Sequence, residues 1–209
     1  MAKESDNNNS LVDAIFQVLE NCVVSPLVVR DLPITDVEFL FYNLRARSES
    51  EIVELRYKCE NQVVVEGTDS LKECGNIMQH QLNLLTDLEI TNSGISSTIE
   101  LEENIGIKLK HQKFDYALDD NKQITPTELF ELIAKNVEYI YNKESSFRAE
   151  DVPLSDIVDW IGKLSPENYE KIEYFFMNEP KIVKQLQLKC NKCGTLHNIE
   201  VEDIFDFFI

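Results

Sequence analysis

The chain has 209 residues, and its 38 acidic side chains outnumber the 20 basic ones to leave a formal charge of −18. Such a surface repels phosphate backbones and argues against nucleic-acid binding without a basic stripe; the densest basic run, Lys108, Lys110, His111 and Lys113, is too short to supply one. A hydrophobic share of 43% is enough for a globular core, and no segment approaches the roughly 20 apolar residues of a membrane span.

Residues 1–10 are polar, carry Asn7-Asn8-Asn9 and lack the apolar stretch of a secretion signal. They read as a flexible tail before a single α+β domain over 11–209, placed in a cytosol. In that reducing compartment five cysteines (Cys22, Cys59, Cys74, Cys190, Cys193) imply metal binding or simple burial rather than disulfides.

Taken in order, Leu11, Ala14, Ile15, Val18, Leu19 and Cys22 recur at helical spacing, and Ser25-Pro26 ends that helix. Leu27 to Arg30 reads as extended. Thr35-Asp36-Val37-Glu38 has the form of a capping box, opening a helix over 36–48 that buries Val37, Leu40, Phe41 and Leu44. Its polar end carries Arg45 and Arg47, scarce cations on this chain, expected to pair with nearby carboxylates or to anchor a partner. Ile52 to Lys58 alternates as a strand that Cys59 closes, and Val63-Val64-Val65 reads as a short return strand. Two longer strands are expected over 79–91 and 97–111, with Asn92-Ser93-Gly94 as the turn between them. The acidic stretch 115–120 reads as a loop.

A helical subregion follows over about 126–178. Thr125-Pro126-Thr127-Glu128 combines a Thr cap, a proline at the first helical position and a glutamate at the third; that helix is expected to reach Tyr141. A second spans 154–164. A third opens at Ser165-Pro166-Glu167 and stops before Pro180. Ile182 to Lys189 then alternates as a strand, residues 190–194 turn, and His197 to Val201 returns. The expected fold is therefore antiparallel strands with a zinc-ribbon-like C-terminal hairpin and a cluster of helices.

The sharpest chemical signal is Cys190-Asn191-Lys192-Cys193-Gly194 between two strands. In such a turn, backbone N–H groups can point at the sulfurs while the glycine relieves the turn, so both thiolates can face one ion. The partners would be Cys59, which ends a strand, and Cys74, which is followed by Gly75. Four thiolates make a closed tetrahedral site for one structural Zn2+, with no open position for water. The competing reading is that the four cysteines are small buried residues. His197, four positions past Cys193, is a further candidate to replace one thiolate. A thioredoxin-type role is opposed by the expected hairpin, because that motif opens a helix.

Catalytic signals are missing from the sequence. No nucleophile elbow and no glycine-rich phosphate loop occur, only six glycines are present, and the carboxylates spread over predicted surfaces. These features argue against an enzyme and against a small-molecule substrate. The end of the chain is different: Ile204, Phe205, Phe207, Phe208 and Ile209 crowd into seven residues. A segment this apolar either folds back on its own domain or docks on another protein, with Phe207, Phe208 and Ile209 as the partner face.

The stretch Leu32 to Ser48, LPITDVEFLFYNLRARS, followed by Glu51 to Cys59, EIVELRYKC, resembles the baseplate hub subunits and hub assembly proteins of T4-like contractile-tailed phages, as do the late Cys190-x-x-Cys193-Gly194 and the closing Asp206-Phe207-Phe208. The resemblance implies a non-enzymatic structural or assembly protein, a structural subunit or an assembly chaperone, acting through contacts with other baseplate hub proteins, in the host cytoplasm during assembly or in the virion tail baseplate. It implies no catalytic residues; the metal site is read from spacing alone. The alternative function is a zinc-ribbon regulatory or adaptor protein of the transcription machinery, which the acidic charge disfavours.

Overall fold

The computed structural model describes residues 2–65, 67, 70–113 and 125–202, with residues 2–11 described by backbone alone. In chain order the helices are α1 (Ala2–Cys22), α2 (Ile34–Ser48), α3 (Pro126–Lys135), α4 (Leu154–Ile161) and α5 (Pro166–Met177). The strands are β1 (Ile52–Lys58), β2 (Gln62–Val64), β3 (Leu71–Glu73), β4 (Ile77–Asn83), β5 (Glu89–Thr91), β6 (Thr98–Glu102), β7 (Ile105–Leu109), β8 (Val137–Tyr141), β9 (Ser146–Arg148), β10 (Lys181–Lys189) and β11 (Leu196–Val201). Every strand pair among the described residues is antiparallel, which makes this a mixed helical and antiparallel α+β fold. The chain divides into two compact units, residues 1–37 with 92–180 and residues 38–91 with 181–209.

In the first unit, α1 buries Val12, Ile15, Phe16 and Leu19. That i, i+3, i+4, i+7 stripe lies one position off the expected one, and Val18 is 45% exposed. The helix begins at Ala2, ahead of its expected start. A four-stranded sheet in the order β6-β7-β8-β9 packs its apolar side against α3, α4 and α5. Ile107, Leu109, Ile133, Val137, Ile157, Ile161, Ile172 and Phe175 make the core there, each at most 3% exposed. Gly106 on the central strand β7 leaves room for the Tyr141 ring; a Cβ there would collide with that ring and with the Ile99 carbonyl.

Helix α3 opens as read. Thr125 Oγ1 accepts from the Glu128 N–H at 3.3 Å, and the Glu128 carboxylate accepts from the Thr125 N–H at 2.8 Å, completing the capping box. It ends at Lys135, however, and Val137 to Tyr141 forms β8 instead of continuing the helix. Val-Glu-Tyr-Ile-Tyr is β-branched and aromatic, and its pairing with β7 and β9 satisfies both backbone edges. The capping box expected at Thr35 does not form. Thr35 Oγ1 donates to the Pro180 carbonyl at 2.5 Å, and α2 starts earlier, with the N–H groups of Asp36 and Val37 bonded to the Pro33 carbonyl.

In the second unit, the rest of α2 buries Phe41, Tyr42 and Ala46. β1 pairs with β4 in register from Ile52↔Asn83 to Lys58↔Ile77, and β10 pairs with both β11 and β5. The expected long strand over 79–91 is thus two, separated by a turn over 84–87. Likewise 97–111 is a hairpin, β6-β7, with Asn104 at φ 65° in its turn. Between Cys59 and Cys74 the chain rises into the small hairpin β2-β3. The expected loop over 115–120 and the apolar segment 203–209 fall outside the described residues.

Candidate metal centre

Two turns of the second unit bring four cysteines together. Cys59 directly follows strand β1, and Cys74 stands at the head of the run into β4. The backbone clasps them in a pair: the Cys59 N–H donates to the Asn76 carbonyl (2.8 Å), the Gly75 N–H to the Cys59 carbonyl (3.0 Å), and the Cys74 N–H to the Asn61 carbonyl (2.8 Å). On the other side, Cys190 and Cys193 occupy the β10-β11 turn, closed by Gly194 N–H to Cys190 O (2.9 Å) and Cys190 N–H to Thr195 O (2.8 Å). Gly75 and Gly194 follow a cysteine in each turn and take φ of +64° and +79°, a left-handed conformation that suits glycine.

The four Sγ atoms all lie within 4.8 Å of one another. Cys59 and Cys193 are separated by 3.6 Å and Cys74 and Cys190 by 3.7 Å. A tetrahedral ion with metal–sulfur bonds of about 2.3 Å would hold its sulfurs roughly 3.8 Å apart, so the set is the right size. No pair is joined in a disulfide. Cys59, Cys74 and Cys190 are at most 3% exposed, and Cys193 is half-buried.

The surroundings favour the thiolate at Cys190 and Cys193, whereas Cys59 and Cys74 are held toward the neutral thiol. Each sulfur accepts from the backbone N–H two residues further on: Asn61 for Cys59, Asn76 for Cys74, Lys192 for Cys190 and Thr195 for Cys193. The Cys193 N–H adds a second donor to Cys190. Among side chains, Asn76 Nδ2 donates to Cys190 Sγ at 3.4 Å, while Cys193 Sγ lies 3.3 Å from Thr195 Oγ1 and Cys59 Sγ 3.2 Å from His197 Nε2. A neutral thiol is a weak acceptor and has no need of so many donors. The Thr195 hydroxyl and its amide hold the Cys193 thiol down at about 6. Burial drives the fully enclosed Cys59 thiol up to about 12. Lys192 reaches across to the Cys74 carbonyl (2.7 Å), tying one turn to the other.

The sequence named all four sulfurs and His197, which stands at hydrogen-bond distance from a ligand sulfur rather than within the four-atom cluster. Asn76 and Thr195 were missed, although both occupy the position two residues past a cysteine where a turn presents its donors. With four thiolates and no water position, the arrangement can hold a tetrahedral cation but offers no catalytic coordination site.

The other singled-out residues lie apart from this cluster. Arg45 Nη2 approaches Glu49 at 3.7 Å while its buried Nη1 has no hydrogen-bond partner among the described residues. Arg47 Nη1 donates to Asn43 Oδ1 at 2.8 Å. Phe207, Phe208 and Ile209 lie outside the described residues. Among the described residues, no helix is long and apolar enough to cross a membrane.

Neither a curated protein nor a solved structure matches the chain. A family model does: the family described as T4 bacteriophage base plate protein matches residues 1–209, the whole chain, which therefore belongs to that family.

Proposed function

We propose that this chain is a non-enzymatic structural or assembly protein of the baseplate hub, acting through contacts with other hub proteins, as a structural subunit or an assembly chaperone. The observation that carries the reading is the family match across all 209 residues. The site chemistry agrees with it, since the four-thiolate cluster is closed and structural in kind. The match lends no support to the alternative of a transcription regulator. The protein would meet its partners in the host cytoplasm during assembly and take its place in the tail baseplate.

The metal is one Zn2+ held by Cys59, Cys74, Cys190 and Cys193. The four thiolates would bind it from the end of β1, the end of the β2-β3 hairpin and the β10-β11 turn, and so would hold the second unit in one shape for docking. Partner contacts fall to Arg45, Arg47 and the segment Phe207, Phe208 and Ile209. Burying one phenylalanine is worth roughly 1.5–3 kcal/mol, so two or three supply much of a micromolar contact before ordering costs are subtracted. The test is capture of the tagged chain with baseplate proteins, repeated after deletion of residues 207–209 and after charge reversal at both arginines. Purified protein should carry about one zinc per chain.

A further inference from the structure

The apolar side of the four-stranded sheet in the first unit runs on past its helical cover. Side chains alternate across a sheet, and Phe147 on β9 stands opposite Ile140 on β8, on the side that packs against the core. Its neighbours Ser146 and Arg148 take the other side. Yet Phe147 is 53% exposed. With Ile105, Ile140, Val152, Ile157 and Trp160 it lines an open groove of about 460 Å³ between that end of the sheet and α4. The chain on either side of each of these residues is described. Beside the groove, β9 is an edge strand: it pairs with β8 on one side and with no strand on the other among the described residues. The charges around it are mainly acidic. From Asn142 to Trp160 the carboxylates of Glu144, Glu150, Asp151, Asp156 and Asp159 stand against Lys143 and Arg148, and Arg148 is held by Glu150 at 2.7 Å.

Edge, groove and charge together select an occupant. A small apolar ligand would fill the groove but leave the backbone N–H and C=O groups of the β9 edge unused. A second copy of this chain, at net charge −18, meets repulsion from the same carboxylates. An extended peptide segment pairs with an edge strand through its backbone and places alternate side chains in the hollows beside it. Lysine or arginine in that segment answers the carboxylates.

We propose that the β9 edge and its groove receive an extended segment of another protein, one that carries large apolar side chains flanked by lysine or arginine. The inference rests on the reading that the chain acts through protein contacts, and it adds a contact surface on the first unit. The segment joins the β6-β7-β8-β9 sheet as its next strand, sets an aliphatic or aromatic side chain against Phe147 and Trp160, and brings a cation to Asp156, the acidic side chain of the groove lining.

Trp160 is the chain's single tryptophan, so its fluorescence reports on the groove directly. The probe is the blocked peptide Lys-Lys-Leu-Phe-Leu-Lys-Lys, titrated into the full chain at low salt. It should produce a saturable change in Trp160 emission that weakens as salt rises. It should bind at least about tenfold tighter than Glu-Glu-Leu-Phe-Leu-Glu-Glu or Lys-Lys-Ser-Ser-Ser-Lys-Lys. Phe147→Ser and Asp156→Lys, each checked for folding by circular dichroism, should each lose about tenfold in affinity for it. Both side chains are exposed, and Asp156→Asn replaces Asp156→Lys if that variant fails to fold. Absence of binding, equal binding of the three peptides, or unchanged affinity in the two variants would overturn the proposal. So would Trp160 emission that shifts on dilution of the chain alone, which would put a second copy in the groove. Binding that appears only after deletion of residues 203–209 would overturn it too, by putting the chain's own end there. If the peptide fails while the tagged chain still captures baseplate proteins, function through contacts stands and this surface does not.

Discussion

Removing the metal should loosen one end of the second unit and leave the first untouched. The buried cluster there consists of Cys59, Cys74, Cys190 and Met78, with Tyr57, Val63, Leu188 and Cys193 packed around it. Half of those eight side chains are the proposed ligands, so without an ion little apolar packing is left. The β2-β3 hairpin depends on it most. Its strands are three residues each, Val64 and Leu71 are 66% and 65% exposed, and an isolated two-stranded hairpin is marginal in water. Structural zinc supplies roughly 10–16 kcal/mol in zinc-finger peptides, measured against an unfolded state. A local share of only about 4 kcal/mol would change amide exchange by about a thousandfold. The assay is hydrogen exchange with and without a strong chelator, followed at Cys59, Cys74, Gly75, Cys190 and Gly194, whose N–H groups close the two turns. Protection should fall by that order at these amides and stay constant at Ile107 in the first unit. Equal protection at the turns before and after chelation would refute the reasoning.

Three further expectations concern the scaffold. Phe175→Ala should cost about 3–5 kcal/mol in a thermal or denaturant melt, since Phe175 is 1% exposed and packs edge-on against Phe176. Gly106→Ala should destabilise through the Tyr141 ring and the Ile99 carbonyl, and pairing it with Tyr141→Ala should recover only part of the loss because the carbonyl cannot move aside. The Asn83 N–H, 2.8 Å from Asp87 Oδ2, holds the Asp87 carboxyl below its ordinary value. A depressed folded value adds stability above the unfolded pKa of about 3.9, lost as pH falls through the folded one. Asp87→Asn should therefore melt below the unaltered chain at neutral pH, by about the 0.5–1.5 kcal/mol of one hydrogen bond, with the gap narrowing in acid.

Much of the site was legible because its signals are local. Cys190-x-x-Cys193-Gly194 carries its turn, its donors and its glycine within five residues, and the glycine after Cys74 repeats the device. The capping box at Thr125 is legible for the same reason. At Thr35 an identical pattern misleads, because the Pro180 carbonyl, 145 positions away in sequence, takes the hydroxyl. Strand β8 was hidden behind α3: only Asn136 separates them, and Val137 to Tyr141 has enough apolar side chains to extend a helical stripe. What turns it into a strand is the pairing with β7, a contact no local window contains.

The central claim is that this member of the base plate family works by binding other baseplate proteins. The direct measurement is affinity capture of the tagged chain from phage-infected cells, with the co-purifying proteins identified and quantified by mass spectrometry. The account predicts stoichiometric recovery of baseplate hub proteins, and loss of that recovery on deletion of residues 207–209 without a fall in melting temperature. Capture that returns the transcription machinery and no baseplate protein would contradict it.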